Sequence, residues 1–187
     1  MTMNFHSGWY VLYVKSRCEK RVNDLLQQYN LKSYLPLISK VKQWSDRKKV
    51  VQVPLFSSYV FVYSENQNEF TKALSIDGAC CYIRFGKEYA RVREQEIKNI
   101  KLFLNIDLNE IETCTTLPSV GEIIKIEHGP LAGLECRVAQ IKNKKKVVVH
   151  INSINTNITA TVPADYFSQS GIIFSNTAKG QAKSVIN

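Results

Sequence analysis

The sequence predicts an α+β domain, an antiparallel sheet with helices, followed by a small β-barrel. Three observations lead there. Residues 8–104 run strand, helix, strands, helix, strand, helix; residues 105–117 lose that periodicity; and residues 118–170 hold short β-rich runs separated by turn residues. A length of 187 residues allows one medium and one small hydrophobic core, since each separate core needs about 50 residues.

Trp9-Tyr10-Val11-Leu12-Tyr13-Val14 is aromatic and β-branched enough for a first strand, and Ser16 then stands where an N-cap would start a helix. Within that helix Cys18, Val22, Leu25, Leu26 and Tyr29 recur at three- and four-residue spacing and form one apolar face. Asn30 suits a left-handed C-cap. The stretch Tyr34 to Val53 reads as extended, with Ser45-Asp46-Arg47-Lys48 turning one strand back on the other. Tyr59-Val60-Phe61-Val62-Tyr63 is the strongest strand signal in the chain. A helix at Asn68 to Leu74, a strand at Cys80 to Phe85 after the Asp77-Gly78 turn, and a helix at Glu94 to Leu104 follow, and helices are expected on one side of the sheet.

Residues 105–117 read as a linker. Beyond it, Glu122 to Glu127, Leu134 to Ile141, Lys146 to Ile151 and Ile158 to Val162 are the expected barrel strands, rich enough in β-branched residues to favour strand over helix. Residues 171–187 are small and polar and are expected to form a disordered tail.

Lysine and arginine outnumber acids 25 to 16, a formal charge of +9, which favours polyanionic neighbours and makes nucleic acid the leading partner class. The five cysteines (Cys18, Cys80, Cys81, Cys114, Cys136) form no CxxC pair and imply neither a disulfide framework nor a zinc site. No basic stretch followed by a long apolar run opens the chain, and no apolar window approaches a membrane span, so a cytoplasmic location is expected. An enzyme would need converging acid, base or nucleophile groups. His6, His128 and His150 are scattered, no Walker or dinucleotide glycine pattern occurs, and Cys80 and Cys81 lack a local motif; neither catalysis nor a metal or other cofactor is expected.

The run from Val120 to Val138, with Gly121, His128-Gly129-Pro130 and Gly133, is a strand, a Gly-Pro turn and a second strand, and it resembles a KOW motif in an SH3-like barrel. Gly133 supplies a backbone conformation that a β-carbon would hinder. Together with Trp9-Tyr10-Val11, the basic helix behind it and Pro54-Leu55-Phe56-Ser57-Ser58-Tyr59-Val60-Phe61-Val62, the order and spacing of these elements resemble the NusG family over roughly residues 8–170. The resemblance implies a polymerase-binding N-terminal domain (8–104) joined to a KOW domain (118–170), an adaptor on the clamp helices of the RNA polymerase β′ subunit that suppresses pausing or termination. A small-subunit ribosomal protein is the partner it implies for the KOW domain.

Ser57-Ser58 stands where the family usually has Pro-Gly before the tyrosine, and Cys136 where the KOW pattern has its later glycine. Ile151 to Asn157 has no counterpart of the Phe-Gly-Arg segment linked to the Rho termination factor. These departures look more like the specialised paralogues of the RfaH and UpxY kinds, antiterminators of selected long operons such as those for surface polysaccharides.

Alternation puts Tyr59, Phe61 and Tyr63 on one strand face and Val60 and Val62 on the other. Helices can cover the valines; the aromatic face needs another cover, either more of this chain or a partner. The candidate polymerase patch is therefore Phe56, Tyr59 and Phe61, supported by Trp9 and Tyr13. Lys15, Arg17 and Arg21 form a basic edge suited to phosphates, with Arg17 and Arg21 expected one helical turn apart, and in RfaH-like proteins such a region meets the displaced non-template DNA strand. The rival from another class is an RNA- or ribosome-binding KOW protein, which the dispersal of the basic residues disfavours.

Overall fold

A computed structural model describes residues 5–43, 47–105, 109–114, 123–126, 132–141 and 144–161. The expected tail, and the Gly129-Pro130 turn of the barrel, lie outside them.

The N-terminal unit is built from β1 (Gly8–Val14), α1 (Glu19–Gln28), β2 (Lys32–Tyr34), a hairpin of β3 (Leu37–Gln43) and β4 (Lys48–Pro54), β5 (Tyr59–Ser64), α2 (Gln67–Leu74), β6 (Ala79–Tyr82), a short hairpin of β7 (Arg84–Phe85) and β8 (Glu88–Tyr89), β9 (Arg91–Val92) and α3 (Glu94–Leu104). Its sheet runs β2-β5-β1-β6, with β9 also on β1, and every pairing is antiparallel. The α+β class is as the sequence predicts.

Both sheet faces are apolar and each has its own core. Tyr10, Leu12 and Val14 of β1 join Val60 and Val62 of β5 against Val22 and Leu26 of α1 and Phe70 and Ala73 of α2. Trp9 and Val11 join Phe61 on the other face, in one core with Ile97, Ile100 and Phe103 of α3. The expectation of helices on one side only is thus corrected: a periodic apolar stripe requires that a helix be covered, but carries no information on which sheet face covers it.

Several boundaries shift for local reasons. Helix α1 starts at Glu19, not after Ser16, because Arg17 takes a left-handed φ of 65° and the Lys15 carbonyl accepts the Cys18 N–H at 3.0 Å, closing a turn first. Asn30 does adopt the left-handed conformation, φ 58°, and the Leu31 N–H returns to the Leu26 carbonyl. Helix α2 starts before Asn68 because the Asn66 side chain accepts the Glu69 N–H at 3.0 Å while the Glu69 carboxylate accepts the Glu65 N–H at 2.8 Å. The strand expected from Cys80 to Phe85 is divided at Ile83, whose N–H donates to Val11 and whose carbonyl accepts from Ala90. Helix α3 matches its expected limits.

Among the described residues, the C-terminal unit is a five-stranded antiparallel sheet, ordered β10-β14-β13-β12-β11, from β10 (Asn109–Cys114), β11 (Ile123–Lys125), β12 (Glu135–Ile141), β13 (Lys144–Ile151) and β14 (Thr156–Thr161). A single 3-10 turn, Asn152–Ile154, separates the last two strands. The unit is made of strands, as its β-branched runs require, and is consistent with a KOW domain. Strand β10 falls inside the segment read as linker: its Asn, Glu and Thr residues give almost no apolar signal, yet it pairs along β14. Gly133 has φ 87°, the left-handed conformation anticipated for it. Among the described residues, no helix is long and apolar enough to cross a membrane.

Candidate functional site: an aromatic face and a basic edge

Strand register brings the expected aromatic residues together. Trp9 lies opposite Tyr63, Val11 opposite Phe61 and Tyr13 opposite Tyr59, so all six side chains share one sheet face. Their environments differ along it. Trp9, Phe56 and Phe61 are buried; Phe56 and Phe61 meet edge to face with centroids 5.8 Å apart, and the Trp9 Nε1–H donates to Glu94 at 3.2 Å. Tyr13 is 41% exposed and Tyr59 half-buried, their rings 6.1 Å apart and steeply inclined.

The face is therefore covered only in part. The chain's own α3 shares the core around Trp9 and Phe61, and the Tyr13–Tyr59 end retains accessible ring surface. Of the five candidate patch residues, Tyr13 and Tyr59 keep accessible surface, and Trp9, Phe56 and Phe61 are buried in the core of that face. Geometry adds Tyr34, opposite Phe61 in the ladder and stacked on it at 6.3 Å, and Lys32, whose Nζ lies 4.2 Å from the Tyr63 ring centroid. Strand β2 has only three residues, too short for a periodic signal to single out either one. Burial pushes the Tyr34 hydroxyl up to about 12, keeping it neutral.

Lys15, Arg17 and Arg21 are all exposed at the β1–α1 junction. The expected one-turn spacing of Arg17 and Arg21 does not hold, because Arg17 precedes the helix. Lys15 is anchored through its backbone N–H to the Gly78 carbonyl at 2.9 Å. The Arg21 guanidinium meets the Asp77 carboxylate at 2.6 Å with both side chains about two-thirds exposed, so the ion pair contributes little stability and leaves Arg21 able to exchange partners. Among the described residues, no group of three His, Cys, Asp or Glu side chains is placed to hold a metal.

The turn before β5 explains how Ser57-Ser58 replaces Pro-Gly. Ser58 adopts φ 63°, a conformation natural to glycine, and is held there by its N–H donating to the buried Glu19 carboxylate at 2.8 Å and its carbonyl accepting the Val14 N–H at 2.9 Å. The glycine-like turn persists with a serine in it, and α1 supplies the restraint.

Comparison with known proteins identifies the family. A family model described as transcription termination factor nusG matches residues 7–101, just over half of the 187 residues. Among solved structures, one described as domain interaction in Thermotoga maritima NusG is 19% identical, covering 83% of this chain and 93% of that one at a TM-score of 0.46. Two conformations of an MjSpt4:Spt5 complex are each 14% identical over 89% of this chain, and 98% and 97% of theirs, at TM-scores of 0.32 and 0.31. On the strength of the family match, the chain belongs to the NusG family, whose members are transcription factors and not enzymes.

Proposed function

We propose that this member of the family is an elongation factor that docks on the β′ clamp helices of RNA polymerase through Tyr13 and Tyr59, and that it suppresses pausing or termination at selected long operons. The observation that carries the reading is the Tyr13–Tyr59 ring pair, Tyr13 exposed and Tyr59 half-buried, on the same sheet face as the buried Trp9 and Phe61. Interface energy concentrates in a few aromatic anchors on a rigid base. Lys15, Arg17 and Arg21 lie beyond the Tyr13 end of β1, where a displaced non-template strand would be met by exposed cations.

Selectivity for particular operons is supported by what stands in place of the Phe-Gly-Arg segment. Asn152–Ile154 is a 3-10 turn that donates the Ser153 N–H to Glu96 of α3, so this loop faces the chain itself. A KOW domain without the Rho-binding segment suits a factor that opposes termination, and a small-subunit ribosomal protein is the partner proposed for it.

The test is binding of purified Tyr13→Ala and Tyr59→Ala proteins to isolated clamp helices. Each folded variant is expected to lose about 2 kcal/mol, roughly thirtyfold in affinity. Folded variants that bind as tightly as the parent refute the docking surface. Genome-wide polymerase occupancy then checks selectivity: residence at nearly all genes refutes it.

A further inference from the structure

The β3–β4 hairpin stands apart from the cores. Only its base is anchored, through Ile38 and the partly buried Val53, which are opposite each other in the ladder and pack in the core beneath the aromatic face. With seven residues in each strand it extends roughly 24 Å at about 3.4 Å per residue, and its outer half is exposed on both faces. That half carries Lys40, Lys42, Arg47, Lys48 and Lys49, all exposed. Among the described residues, no carboxylate forms a salt bridge with any of them.

Register shows how the charges are arranged. Lys42 lies directly opposite Lys49, and Lys40, opposite Val51, follows on the same face; the reverse face presents Val41 opposite Val50, flanked by Ser39 with Gln52 and by Gln43 with Lys48. Val41 is 66% and Val50 63% exposed, an apolar pair with no cover. Like charges directly opposite in a ladder destabilise it. Lysines that served only solubility or guarded a strand edge would do so equally well opposite a glutamate, which attracts across the ladder. A Lys–Lys pair beside an uncovered Val–Val pair is relieved on both faces by one kind of neighbour: a polyanion that also offers apolar surface.

We propose that the β3–β4 ribbon is a DNA-binding arm that lies in the major groove of double-stranded DNA, with the Val41–Val50 face and Lys48 toward base edges and thymine methyls, and Lys40, Lys42 and Lys49 reaching on their long stems from the reverse face to the phosphates that wall the groove. The B-form major groove, about 12 Å wide, admits a two-stranded ribbon, whereas the deep, narrow major groove of A-form RNA does not. This site is separate from Lys15, Arg17 and Arg21 and does not depend on the polymerase reading.

The experiment uses the full chain and a fluorescein-labelled DNA duplex, with anisotropy read across a salt series. Lys42→Gln with Lys49→Gln is expected to reduce the log–log salt slope by roughly 1.8, twice the increment of about 0.9 per phosphate contact, and to weaken binding at least about tenfold near 0.1 M salt. Lys49→Glu, which turns the repulsive pair into an attractive one, is expected to unfold at higher urea than the parent while losing DNA binding. The parent should protect guanine N7 from dimethyl sulfate and bind an RNA duplex of the same sequence more weakly. An unchanged slope in the double variant overturns the proposal, as do unprotected N7 atoms or RNA bound as tightly as DNA.

Discussion

Glu96 joins the two units of the chain: one carboxylate oxygen accepts the N–H of Arg93 at 2.8 Å, closing the first turn of α3, and the other accepts the N–H of Ser153 at 3.2 Å from the far sheet. The carboxylate is buried, so neither bond is easily replaced by water. Beside it lies a cleft of about 230 Å³ lined by Arg93, Asn99, Arg137 and His150 among others, a polar seam of the sort found where domains of one chain meet. Glu96→Ala is expected to lower stability by roughly 1–3 kcal/mol in urea unfolding, because it removes two charge-assisted bonds at once. Unaltered unfolding would show that the contact carries no energy.

Ser58 holds a left-handed backbone against the preference of an L-residue. Ser58→Gly is expected to raise stability by about 1 kcal/mol, since relief of strain near 1–2 kcal/mol outweighs the greater freedom of glycine in the unfolded chain. Glu19→Ala should act in the opposite direction, leaving the Ser58 N–H without its acceptor. Urea midpoints of the two variants, shifted to opposite sides of the parent, are the measurement.

Truncating the aromatic face should split into two classes. Phe61 is fully buried beneath Tyr34 and Phe56, so Phe61→Ala is expected to cost about 3–5 kcal/mol and to leave a marginal or unfolded domain. Tyr13→Ala removes a ring that is 41% exposed and should cost far less, about 1 kcal/mol. Thermal unfolding of the pair separates the base of the patch from its contact surface before any binding is measured.

Burial raises the Cys136 thiol from 9.0 to about 12 and the Tyr34 hydroxyl from 10.0 to about 12. In both cases the folded chain retains a proton that the unfolded chain releases earlier. Their contribution is complete below about pH 9 and is lost as pH rises toward 12. Urea unfolding should therefore show stability declining across that window, with a shallower decline in Cys136→Val. Maleimide should label the exposed Cys80 and Cys81 readily and reach Cys136 only on unfolding.

The strands and helices with strong apolar periodicity were legible from sequence: the β1 and β5 alternation, the left-handed Asn30 and the limits of α3 all follow from residue type and spacing. What was not legible depends on partners distant in sequence. Nothing in Ile97, Ile100 and Phe103 says that they share a core with Trp9 and Phe61, so these aromatics could be grouped on one face but not sorted into buried and exposed. Arg17 gives no sign of a left-handed turn, because that conformation is imposed by the bonds of Lys15 and Cys18. Strand β10 mixes Asn, Glu and Thr with Ile111 and Cys114, too weak an alternation to read as a strand until β14 offers it a ladder.

That last pairing bears on how the chain can be cut. A fragment beginning at residue 118, where the barrel was expected to start, would lose β10 and leave the N–H and C=O groups along the outer side of β14 unpaired, over a run that includes Ile158, Thr159 and Thr161. Such a bare rim is a template for another molecule's strand. The isolated fragment should then self-associate or swap segments between copies as its concentration rises, and a fragment starting before Asn109 should stay monomeric.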